Sequence, residues 1–396
     1  LDGSGEYEVE SQYFEISVPV ISGIPYVQDL RFDYGYREID NKNSVGSRSY
    51  DVSALSVFWR VNDQLAVRAS DQTTTKAPTI DQLFAPLNPS FDQADDPCDA
   101  RYITDGDNPA NRAANCAAAG ITQPFTSFVA GGTVQGKNGG NRFLVDENAE
   151  TFSLGVVYTP NFDFMDRVGN VSLTADYVEI NLKDYVTTFL LEDFMVACYD
   201  AATYPNTFCN NFERSSDGNV IDFETGPGNS GIIDFATYIY KLNWNKEYSF
   251  GELSLNWRAM QQKERLEADS GDPADLIDST GDASNPEWTQ DLTLGYSKGK
   301  HYAYYKADFV ASGYIDKVET DTRADKYLDR AGNPITEYDG YWFDTVGYVY
   351  EHNDNLQFIV KVNNPLDHDG SESRYQEERA VRLLGRSITT SLYYKF

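Results

Sequence analysis

Gly251-Glu252-Leu253-Ser254-Leu255-Asn256-Trp257 decides the fold. Leu253, Leu255 and Trp257 fall on one face of an extended chain and Glu252, Ser254 and Asn256 on the other, the period of two of a strand with two different surroundings. The pattern recurs. Leu292, Leu294 and Tyr296 oppose Asp291, Thr293 and Gly295, and Ala303, Tyr305, Ala307 and Phe309 oppose Tyr304, Lys306 and Asp308. Working outward, thirteen strand-like segments are read at 8–21, 27–40, 48–61, 65–76, 148–159, 169–187, 231–245, 250–267, 287–299, 301–317, 341–353, 356–364 and 388–396. A bilayer is crossed by about nine to eleven tilted residues, so strands of this length can span one. Within 169–187, Val171, Leu173 and Ala175 give way to Val178, Ile180 and Leu182, a change of phase that predicts a β-bulge.

Composition narrows the class. The chain has 396 residues, with 62 Asp+Glu against 32 Lys+Arg and a net charge of −30, which would repel a nucleic acid before any base was read. Aromatic residues make up 14%, including 28 Tyr and 22 Phe, yet no run approaches the ~18 apolar residues of a membrane helix. A chain that is polar on average and rich in large rings suits a transmembrane β-barrel, whose strands show rings to lipid and polar groups to water. Connection lengths support it. Short links (21–26, 62–64, 161–168, 245–249, 300 and 353–355) alternate with long ones (77–147, 188–230, 268–286, 318–340 and 365–387), and only 41–47 breaks the rule. Short turns at one rim and long loops at the other characterise outer-membrane barrels, and no repeat of 40–50 residues suggests a propeller instead. Counting back from Phe396 puts the chain end at the short-turn, periplasmic rim.

The four cysteines form two local pairs, Cys98 with Cys116 and Cys198 with Cys209, in long polar stretches where a loop without a core gains from a clip. Two loop disulfides at the outer rim are expected. Zinc is the weaker alternative, because no C-x-x-C exists and His301, His352 and His368 lie far away in sequence. No nucleophile motif accompanies these histidines, so an enzyme is not expected; His301 and His352 read as solvated residues at periplasmic turns and His368 as one in an outer loop. The chain opens Leu1-Asp2-Gly3-Ser4-Gly5 with neither initiator Met nor signal peptide, so a processed chain or a piece of a longer one is expected. It closes in mid-strand at Ile388 to Phe396, where a closed barrel would remove an otherwise aggregation-prone edge. With Leu392, Tyr394 and Phe396 on alternate positions, this ending resembles the C-terminal assembly signal of bacterial outer-membrane proteins, which implies the barrel assembly machinery as a partner.

Further motifs resemble those of TonB-dependent outer-membrane receptors. Arg68 to Phe84 (RASDQTTTKAPTIDQLF) is similar to the family's R-x-S-x-x-x-x-R-A-P-S-x-x-E-L-F, with Lys76 in place of Arg and Gln82 in place of Glu. Glu150 to Pro160 resembles E-x-x-x-x-G-V-V-x-x-P, and Asp176 to Asp184 resembles D-Y-x-x-I-x-I-x-D followed by a Cys-containing loop. Asn229-Ser230-Gly231 with Ile233-Asp234-Phe235 resembles N-x-G and G-V-D, Ile232 standing for the second Gly. Val362 to Asp367 and Leu384 to Ser387 resemble V-x-N-L-x-D and L-G-R-x-Y, with Pro365 and Ser387 departing from them.

The resemblance implies a 22-stranded barrel plugged by an N-terminal domain. Residues 1–396 are then the C-terminal part of an all-β, transmembrane antiparallel barrel with about thirteen strands. The missing strands, plug, TonB-contacting box and signal peptide would lie upstream. It further implies active uptake of a scarce ligand across the bacterial outer membrane, energised by the TonB complex through the plug, with lipid and lipopolysaccharide around the barrel. A passive porin-like channel or adhesin and a soluble glycan-binding protein are the alternatives. No cofactor is expected. Acidic outer loops disfavour anionic ferric siderophores, so a polyhydroxylated ligand such as an oligosaccharide is expected, with Phe84, Tyr102, Phe125, Phe128, Tyr338 and Trp342 as candidate contacts. These rings read equally as loop anchors or girdle residues. The acidic loop Asp269 to Asp282, with Asp272, Asp275, Asp278 and Asp282, is a weak calcium candidate without EF-hand spacing, and a solvated loop is the simpler reading.

Overall fold

The computed structural model describes residues 6–43, 46–105, 108–268, 276–317, 332–367 and 385–395. All thirteen segments are strands: β1 (Tyr7–Ile24), β2 (Val27–Asn43), β3 (Gly46–Arg60), β4 (Leu65–Lys76), β5 (Glu147–Tyr158), β6 (Asn170–Phe189) and β7 (Val220–Tyr248), then β8 (Gly251–Ala268), β9 (Trp288–Lys298), β10 (His301–Val310), β11 (Tyr341–Asn353), β12 (Leu356–Asn363) and β13 (Ser387–Tyr394). Each pairs antiparallel with the next, so they form one up-and-down meander. Tight turns join β1 to β2, β3 to β4, β7 to β8, β9 to β10 and β11 to β12 at one rim, and the long connections leave from the other. Strands β1 and β13 are the outer members, and no pairing joins them among the described residues.

Side-chain exposure separates the two faces. Phe152, Leu154 and Val156 of β5, Leu173 of β6, Leu294 of β9, Val346 and Tyr348 of β11 and Phe358 and Val360 of β12 are exposed apolar residues at alternate positions, in register across the sheet. Burying such a side chain is worth about 1.5–3 kcal/mol, so this row belongs against lipid rather than water. The opposite row carries Arg31, Asp33, Arg68, Asp176, Asp291, Lys306 and Asp308. Such an inside-out wall has no apolar core of its own. The buried apolar residues gather instead in the loops of the long-loop rim, around Cys98, Val129, Leu191, Met195, Tyr199 and Phe223.

Two sequence expectations change. Strand β6 stays in continuous register with β5 from Lys183 to Leu173, and with β7 from Leu182 to Asn170, so no bulge separates Ala175 from Val178. Register breaks only beyond Leu182, where Asp184 has φ 57° and Asn229 and Gly231 lie opposite. The change of phase is a change of surroundings. Val171, Leu173, Ala175 and Tyr177 share the outward row, which ends where the Tyr177 ring meets those of Phe152 (6.4 Å) and Tyr238 (5.2 Å). Past that aromatic level the same row reads Glu179, Asn181 and Lys183, and the inward row becomes apolar. The second change concerns strand limits. Strand β7 starts eleven residues before the expected Gly231, because Val220 to Thr225 pair with two short loop strands, Phe212–Arg214 and Val134–Asn138. Strand β10 stops at Val310, and Gly313–Tyr314 pairs separately with Glu337–Tyr338.

Candidate ligand-recognition lobe and lumen

The connections β4–β5 and β6–β7 fold together into a lobe above the long-loop rim. It contains helices α1 (Ile80–Phe84), α2 (Pro109–Ala118) and, past the short turn α3 (Met165–Val168) at the other rim, α4 (Leu191–Tyr199). Helix α1 begins with a capping box: Gln82 N–H donates to Thr79 Oγ1 at 3.2 Å and Thr79 N–H to Gln82 Oε1 at 2.8 Å. Gln82 thus supplies the reciprocal half of the cap. Just before it, Lys76 pairs with Glu147 at 2.6 Å across β4 and β5, so the Arg-to-Lys departure also keeps a cation in place. Gly140 packs on the backbone of Leu83 to Ala85, where a Cβ would approach Ala85 N to 2.7 Å.

Disulfides Cys98–Cys116 and Cys198–Cys209 close two loops of this lobe. Its centre is an ion pair. Arg214 donates to both oxygens of the fully buried Asp96 (2.7 and 2.8 Å) and to Tyr199 Oη (2.9 Å), with its guanidinium 5.2 Å from the Tyr199 ring and 5.5 Å from that of Phe212. Ser127 Oγ–H and Cys98 N–H complete the Asp96 carboxylate. A second pair, Arg112 to Asp200 at 2.5 Å, ties α2 to the end of α4. The Arg101 guanidinium holds Asp99 down at about 2, and burial pushes the Tyr199 hydroxyl up to about 12. The Arg214–Asp96 and Arg112–Asp200 charges are neutralised inside the lobe, whereas Arg101 is half exposed at its surface.

The N-x-G motif joins the lobe to the wall. Asn229 Nδ2 donates to Val145 O (2.9 Å) and Asp184 O (2.7 Å), and Val145 N–H donates to Asn229 Oδ1 (2.7 Å). Near the chain end, Arg386 N–H donates to Asp367 Oδ1 at 2.8 Å, linking the N-x-x-D and L-G-R motifs.

Of the six aromatic candidates, Tyr102, Phe125 and Phe128 share the lobe. The Tyr102 ring lies 5.2 Å from the Arg101 guanidinium, and Asp95 raises its hydroxyl pKa by accepting its hydrogen bond. Phe125 packs against the lobe core, whereas Phe128 is 60% exposed. Phe84 is buried with Leu83, Leu144 and Val186, and Arg142 covers its ring at 5.5 Å. Tyr338 is buried in the separate loop sheet, its hydroxyl pushed up to about 12 by burial. Trp342 lies on the outward row of β11, 4.7 Å from the Phe309 ring, at the outer aromatic level. The structure therefore does not gather the six into one site.

The assembly-signal residues Leu392 and Tyr394 share the outward row of β13, and Phe396 lies outside the described residues. Asp272, Asp275 and His368 also lie outside them. Asp278 pairs with Lys317 Nζ at 2.6 Å, and Asp282 accepts the Lys317 N–H at 2.9 Å, so both carboxylates tie loops together. Among the described residues, no three His, Cys, Asp or Glu side chains converge as metal ligands. His301 and His352 sit at the short-turn rim, His301 Nδ1 2.6 Å from Tyr348 Oη.

Sequence reasoning missed the lumen pairs. Arg68 of β4 reaches Asp176 of β6 at 2.8 Å across Gly155 of the intervening β5. A Cβ on Gly155 would collide with Asp176 Oδ1 and Arg68 Nε, so the glycine of the G-V-V motif is the gap through which the pair forms. Arg31 pairs with Asp33 at 3.1 Å, and Lys306 with Asp308 at 2.7 Å. The alternation itself marked these positions as a water-facing row; it carried no signal of which strands would be bridged.

Against solved structures, the chain aligns over its whole length with a mutant of the ferric enterobactin receptor PfeA of Pseudomonas aeruginosa, covering 52% of that chain at 13% identity and TM-score 0.50. The siderophore receptor PirA of Acinetobacter baumannii aligns with 99% of this chain and 52% of its own, at 12% identity and TM-score 0.52. The fold is that of an outer-membrane receptor barrel. The FrpB iron transporter of Neisseria meningitidis gives 98% and 46% coverage, 13% identity and TM-score 0.50. The chain thus spans about half the length of the receptors it matches. No family model matches the chain, and no curated protein does. The propeller architecture is set aside, the fold being that of an outer-membrane barrel. The expected oligosaccharide finds no support in these neighbours, which are siderophore and iron receptors by name.

Proposed function

We propose that residues 1–396 are the C-terminal part of the barrel of a TonB-dependent receptor that imports a ferric siderophore across the bacterial outer membrane. The observation that carries this reading is the thirteen-strand meander with short turns at one rim, a folded loop lobe at the other, and receptor-like motifs at the strand ends. About nine further strands and a plug, in a longer protein, complete the barrel between β13 and β1. The barrel assembly machinery inserts it, lipid and lipopolysaccharide surround it, and TonB acts through the plug. The likeness to siderophore receptors favours that ligand class over an oligosaccharide. The excess of acid, six Asp or Glu and no Lys or Arg in 269–287, restricts it to ferric complexes of low negative charge. Of the candidate rings in the lobe, Phe128 is the exposed one and is placed to meet it, with Tyr102 half-buried beside Arg101. No chemical step is required of the chain.

Uptake of radiolabelled iron by cells carrying the full-length gene tests this reading. A panel of ferric siderophores differing in charge should yield at least one, neutral or cationic, whose uptake is saturable and abolished by loss of TonB. Uptake unaffected by loss of TonB would instead make the protein a passive channel.

A further inference from the structure

We propose that the short-turn rim of β7–β12 binds the headgroup of an anionic phospholipid on its outward face. Resting on the membrane reading above, this surface faces the inner leaflet of the outer membrane. Three basic side chains share the outward row there. Lys246 follows Trp244 on β7, with its ammonium 5.5 Å from the Tyr248 ring and donating to Asp166 O at 2.6 Å. Lys298 of β9 and His301 of β10 are paired across adjacent strands, and both are exposed. Lys298 makes no ion pair among the described residues.

Two acids of the neighbouring strands point the other way. Glu252 accepts from Asn245 Nδ2 at 3.0 Å and Glu351 from Gln357 Nε2 at 3.5 Å, both in the inward row. At the opposite rim acid outnumbers base in the outward row, with Glu38, Asp40, Asp51, Asp71, Glu150, Glu179 and Asp234 against Lys42 and Lys183. A basic outward rim in a chain of net charge −30 is therefore a local feature.

Aromatic rings supply the rest of the surface. Tyr248 stacks on Phe250 (4.9 Å), Phe250 on Tyr296 (6.4 Å), and Tyr296 Oη donates to Phe250 O at 2.7 Å. Beyond them His301 meets Tyr350 at 5.1 Å, and Tyr350 meets Phe358 at 6.3 Å. Such rings lie at the level where acyl chain gives way to headgroup, and lysines snorkelling from that level reach phosphate. One strand, β8, lies between Lys246 and Lys298, so two strand spacings, about 10 Å, separate their strands. One or two headgroups fit between them.

The test uses the full-length receptor in nanodiscs of phosphatidylcholine doped with phosphatidylglycerol, reading bound lipid by quantitative mass spectrometry. K246Q/K298Q should bind phosphatidylglycerol roughly 30-fold more weakly, about fivefold per lysine. K246R/K298R should restore binding, and K183Q, at the other rim, should leave it unchanged. Heat-modifiable gel mobility checks that each variant keeps its barrel. Equal enrichment of the two lipids, unaltered binding by K246Q/K298Q, or complete displacement by inorganic phosphate would overturn the proposal while leaving the receptor reading intact. A protein that binds no lipid of any class would overturn both.

Discussion

Gly155 and Arg214 show how single residues carry this molecule. Gly155 leaves the gap through which Arg68 reaches Asp176, so Gly155→Ala should separate the pair and lower the folded, heat-modifiable fraction; R68Q, which lacks the charge but spares the backbone, should have the milder effect. In the lobe, Arg214→Ala would strand the buried Asp96 carboxylate, a loss of about 3–5 kcal/mol for a broken buried pair. A lobe melting well before the barrel in calorimetry is the expected outcome, and an unchanged melting profile would contradict it. Asp282 offers a pH test. Burial lifts its carboxyl to about 6, above the ordinary 3.8, against the pull of the Lys317 N–H, whose hydrogen bond favours the carboxylate; protonation therefore stabilises the folded loop by sparing a desolvated charge. That stability is full below about 3.8 and is lost as pH rises through about 6. The exchange protection factor at the Lys317 amide, taken relative to the intrinsic rate at each pH, should fall between pH 5 and 8, and Asp282→Asn should remove most of that fall.

Among the elements, the disulfide lobe and the wall obey different physics. The lobe has an apolar core, buried ion pairs and two covalent clips; the wall has lipid on one side and polar groups on the other. Reducing the disulfides should cost the lobe about 2–4 kcal/mol per bridge and open it to protease while the wall strands stay protected. Cleavage within the wall strands at the same rate would argue that lobe and wall unfold together. The wall was legible in the sequence, because alternation such as Leu253-Ser254-Leu255 reports directly on two solvents. Cysteine pairing was legible too, since each pair is local. What the sequence hid was long-range. Nothing near Asp96 announces that Arg214, 118 residues away, will neutralise it. The apparent bulge in β6 shows the converse, since a pattern that reads as slipped pairing came from a strand leaving lipid at Tyr177. The aromatic candidates failed as a set for a related reason: composition marks a ring as useful, and only tertiary packing decides whether it is buried like Phe84 and Tyr338 or faces lipid like Trp342.

At the scale of the whole molecule, the outer strands carry the decisive feature. Strand β1 is 18 residues long and almost wholly exposed, and an edge of that length invites pairing with other strands. Under the function proposed above, those strands come from the same longer protein, with thirteen strands here and about nine upstream. The charge distribution belongs to this scale as well, with acid toward the outer rim and lysine toward the inner one on the lipid-facing row. A cryo-electron-microscopy structure of the protein purified from outer membranes tests the central claim most directly. A 22-stranded barrel in which β1 and β13 each pair with an added strand is the expected result; direct pairing of β1 with β13 to close thirteen strands would contradict it.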